Sequence, residues 1–168
     1  MAIGLLLVRL VFGGLMAAHG SQKLFGWFGG YGLTGTGTFF EQLGFRPGRL
    51  FAAAAGCAEF LGGVLLAVGL GGPIGPAFIV SVMIVALVSV HWGHGLFAAT
   101  NGIEVPLLYA AGTAALAFTG SGQYSLDALL GVTMWTTRHA AIALGLAAFG
   151  AIANLTARQS AVPSRVHA

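Results

Sequence analysis

Seven side chains able to donate, accept or relay protons gather at two places in an otherwise apolar chain. His19, Gln22 and Lys23 close the first apolar run, and His91, His94, Asn101 and Glu104 surround a later connection. Imidazole exchanges protons near neutral pH, and an ammonium or carboxylate beside it can work as donor or acceptor towards a carbonyl compound. The set suits proton exchange or hydrogen bonding to a quinone carbonyl. It suits equally well the polar ends of membrane helices, whose long side chains snorkel towards water. His91 and His94 are three residues apart and share one helical face if the helix continues through them. Nothing in the spacing aims two imidazoles at one iron, so haem is not expected. The single Cys57 excludes a cysteine-based cluster, and no metal ligand set is assigned.

Two further charges, Arg9 and Glu59, lie within apolar runs, where an ionised group needs a partner. Arg9 is ten residues before His19 and Glu59 ten after Arg49, which places both about 15 Å below one face if those residues mark the ends of the helices. An interhelical Arg9–Glu59 pair follows. It either fixes the packing of two helices or forms a buried proton-relay or cofactor-facing pair.

The elements that must position these residues are membrane helices. Charged residues are 7% of the 168, against roughly a quarter in soluble domains, and mean hydropathy is +0.91, so lipid rather than water is the expected solvent. Apolar runs extend from Ala2 to Ala18, Leu50 to Leu70, Ile74 to Val90, Val105 to Thr119 and Ala140 to Leu155. Each approaches the roughly 17–25 residues that cross a bilayer as a helix. The first run has no basic leader and continues into His19, Gln22 and Lys23, so it reads as a retained helix and not a cleaved signal. The fold class is therefore all-α, a transmembrane bundle.

Between the first two runs, residues 38–43 read as a short interfacial helix, with Trp27, Phe28 and Tyr31 suited to headgroup depth. Gly71-Gly72-Pro73 reads as a tight turn joining antiparallel neighbours, and Ser125 as the cap of one further turn. Gly13, Gly14 and Ala17, then Ala52, Gly56, Gly62, Gly63 and Gly69, and finally Ala141 with Gly145 are spaced for close helix packing. With five spans, Lys23, Arg46, Arg49, Arg158 and Arg165 lie on one side against Arg138 on the other. The positive-inside rule then favours an outer N-terminus and an inner C-terminus. Seven scattered Lys/Arg make no basic face, which excludes nucleic acid as a partner.

Several segments together resemble the DoxX family of small bacterial membrane proteins. They are residues 7–10 (LVRL), 19–26 (HGSQKLFG), 56–63 (GCAEFLGG), His91-Trp92, 101–108 (NGIEVPLL) and 124–127 (YSLD), in this order and spacing. The resemblance implies a four-helix bundle in the inner (plasma) membrane, covering residues 1–130. It also implies a redox setting: membrane oxidoreductase complexes, with kinship to subunits of thiosulfate:quinone oxidoreductase. It directs attention to Arg9, His19, Lys23, Glu59, His91, Asn101 and Glu104 without assigning them roles. Residues 131–157 add a helix beyond the usual four, transmembrane or interfacial, read from hydropathy alone, and residues 158–168 read as a flexible polar tail.

Two functions fit these observations. One is a membrane redox component that binds a quinone, or anchors a peripheral oxidoreductase to the lipid bilayer. The other is a non-catalytic scaffold or assembly subunit of a membrane complex, for which small-residue helices and an aromatic connection suffice. The chain has no dinucleotide fingerprint or cysteine cluster, so electrons would come through a quinone or a partner's cofactor.

Overall fold

Helices α1 (Ala2–Phe25) and α3 (Gly48–Val68) run antiparallel at backbone contact in the computed structural model, which describes residues 2–159. Glycine makes this approach possible. A Cβ on Gly13 would lie 2.5 Å from Gly63 O, and one on Gly20 would lie 2.4 Å from Phe60 N. In lipid, such close contact stands in for the hydrophobic drive that water supplies elsewhere. Gly14 and Gly145 face open space, so the packing stripes expected to include them are narrower than their spacing suggests.

Helix α1 does not stop at Ala18 but runs on to Phe25. Helix α2 (Gly32–Gln42) then lies across the start of α3, where Gly37 and Gly48 touch and Glu41 Oε1 accepts the Gly48 N–H at 3.1 Å. Eleven residues are too few to cross a bilayer, in keeping with the short interfacial helix expected around residues 38–43. Trp27, Phe28 and Tyr31 beside it are all well exposed.

Helix α4 (Ile74–Ala86) is central and packs against α3, α5 (Glu104–Thr119) and α7 (Thr137–Thr156). Its end is irregular: a π-helical turn over Leu87–His91 passes into a tighter turn over Trp92–His94. Met16, Leu66, Ile79, Met83 and Leu116 form the core, joined by Phe12 and Tyr109 edge to face. The outer surface is apolar as well, with Leu7, Val11, Leu15, Leu146 and Phe149 at least half exposed. Such a surface belongs in lipid.

All five expected runs are helical, and Ala2–Phe25, Gly48–Val68, Ile74–His94 and Thr137–Thr156 are long and apolar enough to span. Helix α5, at 16 residues, is the short one. Helix α7 faces α4 through buried Ala140, Ala147 and Ala151 rather than through Ala141 and Gly145. Helix α6 (Leu126–Leu129) is one turn, capped by Ser125 Oγ accepting the Ala128 N–H at 3.1 Å. After α7 the chain returns to the α2–α3 connection, where the Gln159 N–H donates to Gly44 O at 2.9 Å and Arg158 Nε donates to Leu43 O. The end of α7 and the first connection therefore share one face of the bundle, opposite the start of α1. Most of the expected polar tail, residues 160–168, lies outside the described residues.

Candidate functional site

The register of α1 on α3 decides which embedded charges meet. Gly13 lies against Gly63–Ala67 and Gly20 against Gly56–Phe60, which brings Glu59 level with His19 and Arg9 level with Gly69. Arg9 and Glu59 are thus about 15 Å apart along the axis and form no pair. The expectation of an Arg9–Glu59 pair rested on His19 and Arg49 marking equal depth. Helix α1 continues past His19 instead, and Arg49 belongs to the first turn of α3, against Gly37 of α2.

Arg9 is instead satisfied by carbonyls. Its Nε donates to Leu66 O and its Nη2 to Ala67 O, both at 3.2 Å, while Tyr124 O at 2.9 Å and Ser121 O complete the set. Leu66 and Ala67 end α3, whose last carbonyls lack helical partners and carry the negative end of the helix dipole. Asp127 beside this set accepts the Gly71 N–H at 3.0 Å, the Gly72 N–H at 2.8 Å and Ser121 Oγ at 3.1 Å. Together these bonds tie the Gly71–Pro73 turn to α1 and to the α5–α6 connection. Arg9 and Asp127 thus hold the end of α3, its following turn and the α5–α6 connection together.

Glu59 pairs with Lys23. Lys23 Nζ donates to Glu59 Oε2 at 2.5 Å; the lysine side chain is 25% exposed and the carboxylate 3%. The pair lies on the wall of a cavity of about 280 Å³ bounded by α1, α2, α3, α4 and α7. Four rings line one side: Phe39 and Phe40 of α2, Phe45 of the connection and Phe51 of α3, each within 6.3 Å of the next, centre to centre. His91, Ser81, Ser89 and Asn154 add polar atoms. A second, wider cavity of about 520 Å³ lies on the other side of Phe39 and Phe40 and shares Lys23 with the first.

Of the residues singled out from sequence, the cavity gathers Lys23, Glu59 and His91. His91 Nδ1 lies 2.8 Å from Asn101 O, and a carbonyl oxygen only accepts, so the proton sits on Nδ1 and Nε2 is the acceptor of the neutral ring. His94 does not share that face. The π-helical turn re-aims the chain, and His94 is exposed. His19 is exposed on the outer side of α1. Gln22 donates to Phe28 O at 3.1 Å, holding a turn in which Phe28 has φ 52°, and it faces the wider cavity. Glu104 Oε2 accepts the Ala98 N–H at 2.8 Å and, with Asn101 at φ 61°, shapes the third connection. These five are boundary and loop-forming groups, not lining of the 280 Å³ cavity.

Sequence reasoning missed Asn154, Ser81, Ser89 and the ring wall. Asn154 carried a signal: it is a lone amide inside an apolar span, a type that asks for a partner in lipid. The ring wall carried none, because Phe39, Phe40, Phe45 and Phe51 show no periodicity separating them from packing residues.

The helices and their apolar exterior make the chain a multi-pass integral membrane protein. Neither a curated protein nor a solved structure matches it. A family model, DoxX, matches residues 4–92, which span α1 to the end of α4 and carry Lys23, Glu59, His91 and the four rings. By that match over more than half its length, the chain belongs to the DoxX family.

Proposed function

We infer that the Lys23–Glu59 cavity binds the ring of a membrane quinone, and that the protein serves as a quinone-handling redox component of the plasma membrane. The observation that carries this reading is an ion pair, its carboxylate buried and its ammonium partly so, on the wall of an aromatic, ring-sized cavity. An ion pair in an apolar interior adds little stability over apolar residues of the same size, so a chemical use accounts for it better. An apolar cavity of about 150 Å³ accepts benzene, so one of about 280 Å³ has room for a substituted single ring. Four phenyl rings supply stacking surface for it.

Lys23 Nζ is placed to donate to a carbonyl oxygen in the cavity. Glu59, as the paired carboxylate, orients the ammonium, and His91 Nε2 offers a proton-accepting position towards a quinol hydroxyl. A quinone held there takes up two electrons and two protons on full reduction; Lys23 can pass on one proton at a time and, with its side chain 25% exposed, is reprotonated from water. The electrons would come from a peripheral oxidoreductase, since this chain has no dinucleotide or cysteine-cluster site for a redox group of its own. Basic residues support a cytoplasmic first connection, with Lys23, Arg46, Arg49 and Arg158 all at that face.

Equilibrium binding of a short-chain dimethoxybenzoquinone to the purified protein in detergent tests the reading. Saturable binding that weakens about tenfold or more in Lys23→Met, and is unchanged in His19→Ala, supports it. Absence of saturable binding would leave the scaffold function in its place.

A further inference from the structure

We propose that Asn154, on the C-terminal helix, is the specificity-determining residue of this cavity, binding a second polar end of the ligand opposite Lys23; this rests on the quinone reading above. Helix α7 lies beyond the residues matched by the family model, so this wall is a feature of the present chain and not of the matched core. Asn154 lines the cavity and is half-buried. Its Nδ2 donates to Gly150 O, one turn back in the same helix, at 2.9 Å. Among the described residues its other N–H and its Oδ1 have no protein partner.

That pattern separates it from the usual amide in a membrane helix. Asn and Gln in such helices typically bond across to a neighbouring helix and hold it. Helix α7 packs on α4 through Ala140, Ala147 and Ala151, so the amide is not needed for that contact. An apolar residue would serve packing alone equally well, and the free polar atoms of the amide are not buried within protein. Lys23 and Glu59 enter from α1 and α3, whereas Asn154 enters from α7, on the far side of α4. The end of α7 is also fixed. Gln159 and Arg158 bond to Gly44 O and Leu43 O, and Leu43 itself lines the cavity. Even a Cβ on Gly44 would meet Gln159 O at 2.2 Å. An amide held this firmly can read one position of a ligand.

The site would therefore prefer a ring with polar groups at both ends, as in a 1,4-quinone, over a ring with one. Two probes distinguish these: a short-chain dimethoxybenzoquinone and a short-chain alkylphenol, titrated against wild type and Asn154→Leu in the same detergent. Wild type should favour the quinone. Asn154→Leu should weaken quinone binding about tenfold, the scale of one hydrogen bond, and leave phenol binding unchanged, which also shows that the variant is folded. Equal weakening of both probes would make Asn154 a packing residue, and no change in either would remove it from the site. A wild-type protein that binds both probes equally overturns this inference but not the quinone site. One that binds neither overturns both.

Discussion

Removing Lys23 should destabilise the protein more than removing Lys23 and Glu59 together. In Lys23→Met the Glu59 carboxylate, 3% exposed, is left charged beside four phenyl rings, and breaking a buried pair in this way costs about 3–5 kcal/mol. Glu59→Leu should cost less, about 1–2 kcal/mol, because the lysine is 25% exposed and its ammonium can swing towards the headgroups. The double variant replaces the pair with apolar groups of similar volume and should lie within about 1 kcal/mol of wild type. The coupling, the two single losses less that of the double variant, is then about 4–7 kcal/mol, well above the few tenths expected of separate sites. Unfolding by heat or denaturing detergent, followed by helical circular dichroism, measures each corner of the cycle. An Arg9→Leu/Glu59→Leu cycle run alongside should be additive. Additive losses for Lys23 and Glu59, or strong coupling between Arg9 and Glu59, would refute the register of α1 on α3.

The glycine contacts predict a sharp contrast: Gly20→Ala, whose Cβ would lie 2.4 Å from Phe60 N, should force α1 from α3 and cost several kcal/mol, while Gly14→Ala, in open space, should be neutral or slightly stabilising in the same unfolding assay. Asp127→Ala strands two backbone N–H groups and the Ser121 hydroxyl, so it should lose about 2–4 kcal/mol of stability while the folded fraction keeps its quinone affinity. His19→Ala should alter neither stability nor binding, because that imidazole faces away from the cavity.

Hydropathy made the five helices legible, since a span must be apolar over its length whatever it packs against. Local turn chemistry was legible too: Gly71-Gly72-Pro73 and the Ser125 cap are announced by residue types adjacent in sequence, although Asp127, far along the chain, also holds the turn. Register was not. His19 looks like the end of a helix because a polar cluster follows it, yet α1 continues because Lys23 has Glu59 to bond and Ser21 Oγ folds back onto Ala17 O. The partners of Arg9 were hidden because they are carbonyls of Leu66, Ala67, Ser121 and Tyr124, which every residue type carries. His91 and His94 were expected on one face, and a π-helical turn that composition does not announce separates them. Lys23, Glu59 and His91 were all visible as chemistry-bearing residues; that these three, and not the other candidates, share a cavity depended on tertiary contacts.

The most direct test of the quinone site is photolabelling of the detergent-solubilised protein with an azidobenzoquinone, followed by peptide mass spectrometry. Label should fall on the cavity faces of α2, α3 and α4, among Phe39–Leu43, Phe51–Glu59 and Ser81–His91, and excess unlabelled quinone should suppress it. Label confined to lipid-facing residues such as Leu7, Leu15 and Phe149, unaffected by competitor, or concentrated around Asp127 and Arg138, would contradict a quinone site at Lys23 and Glu59.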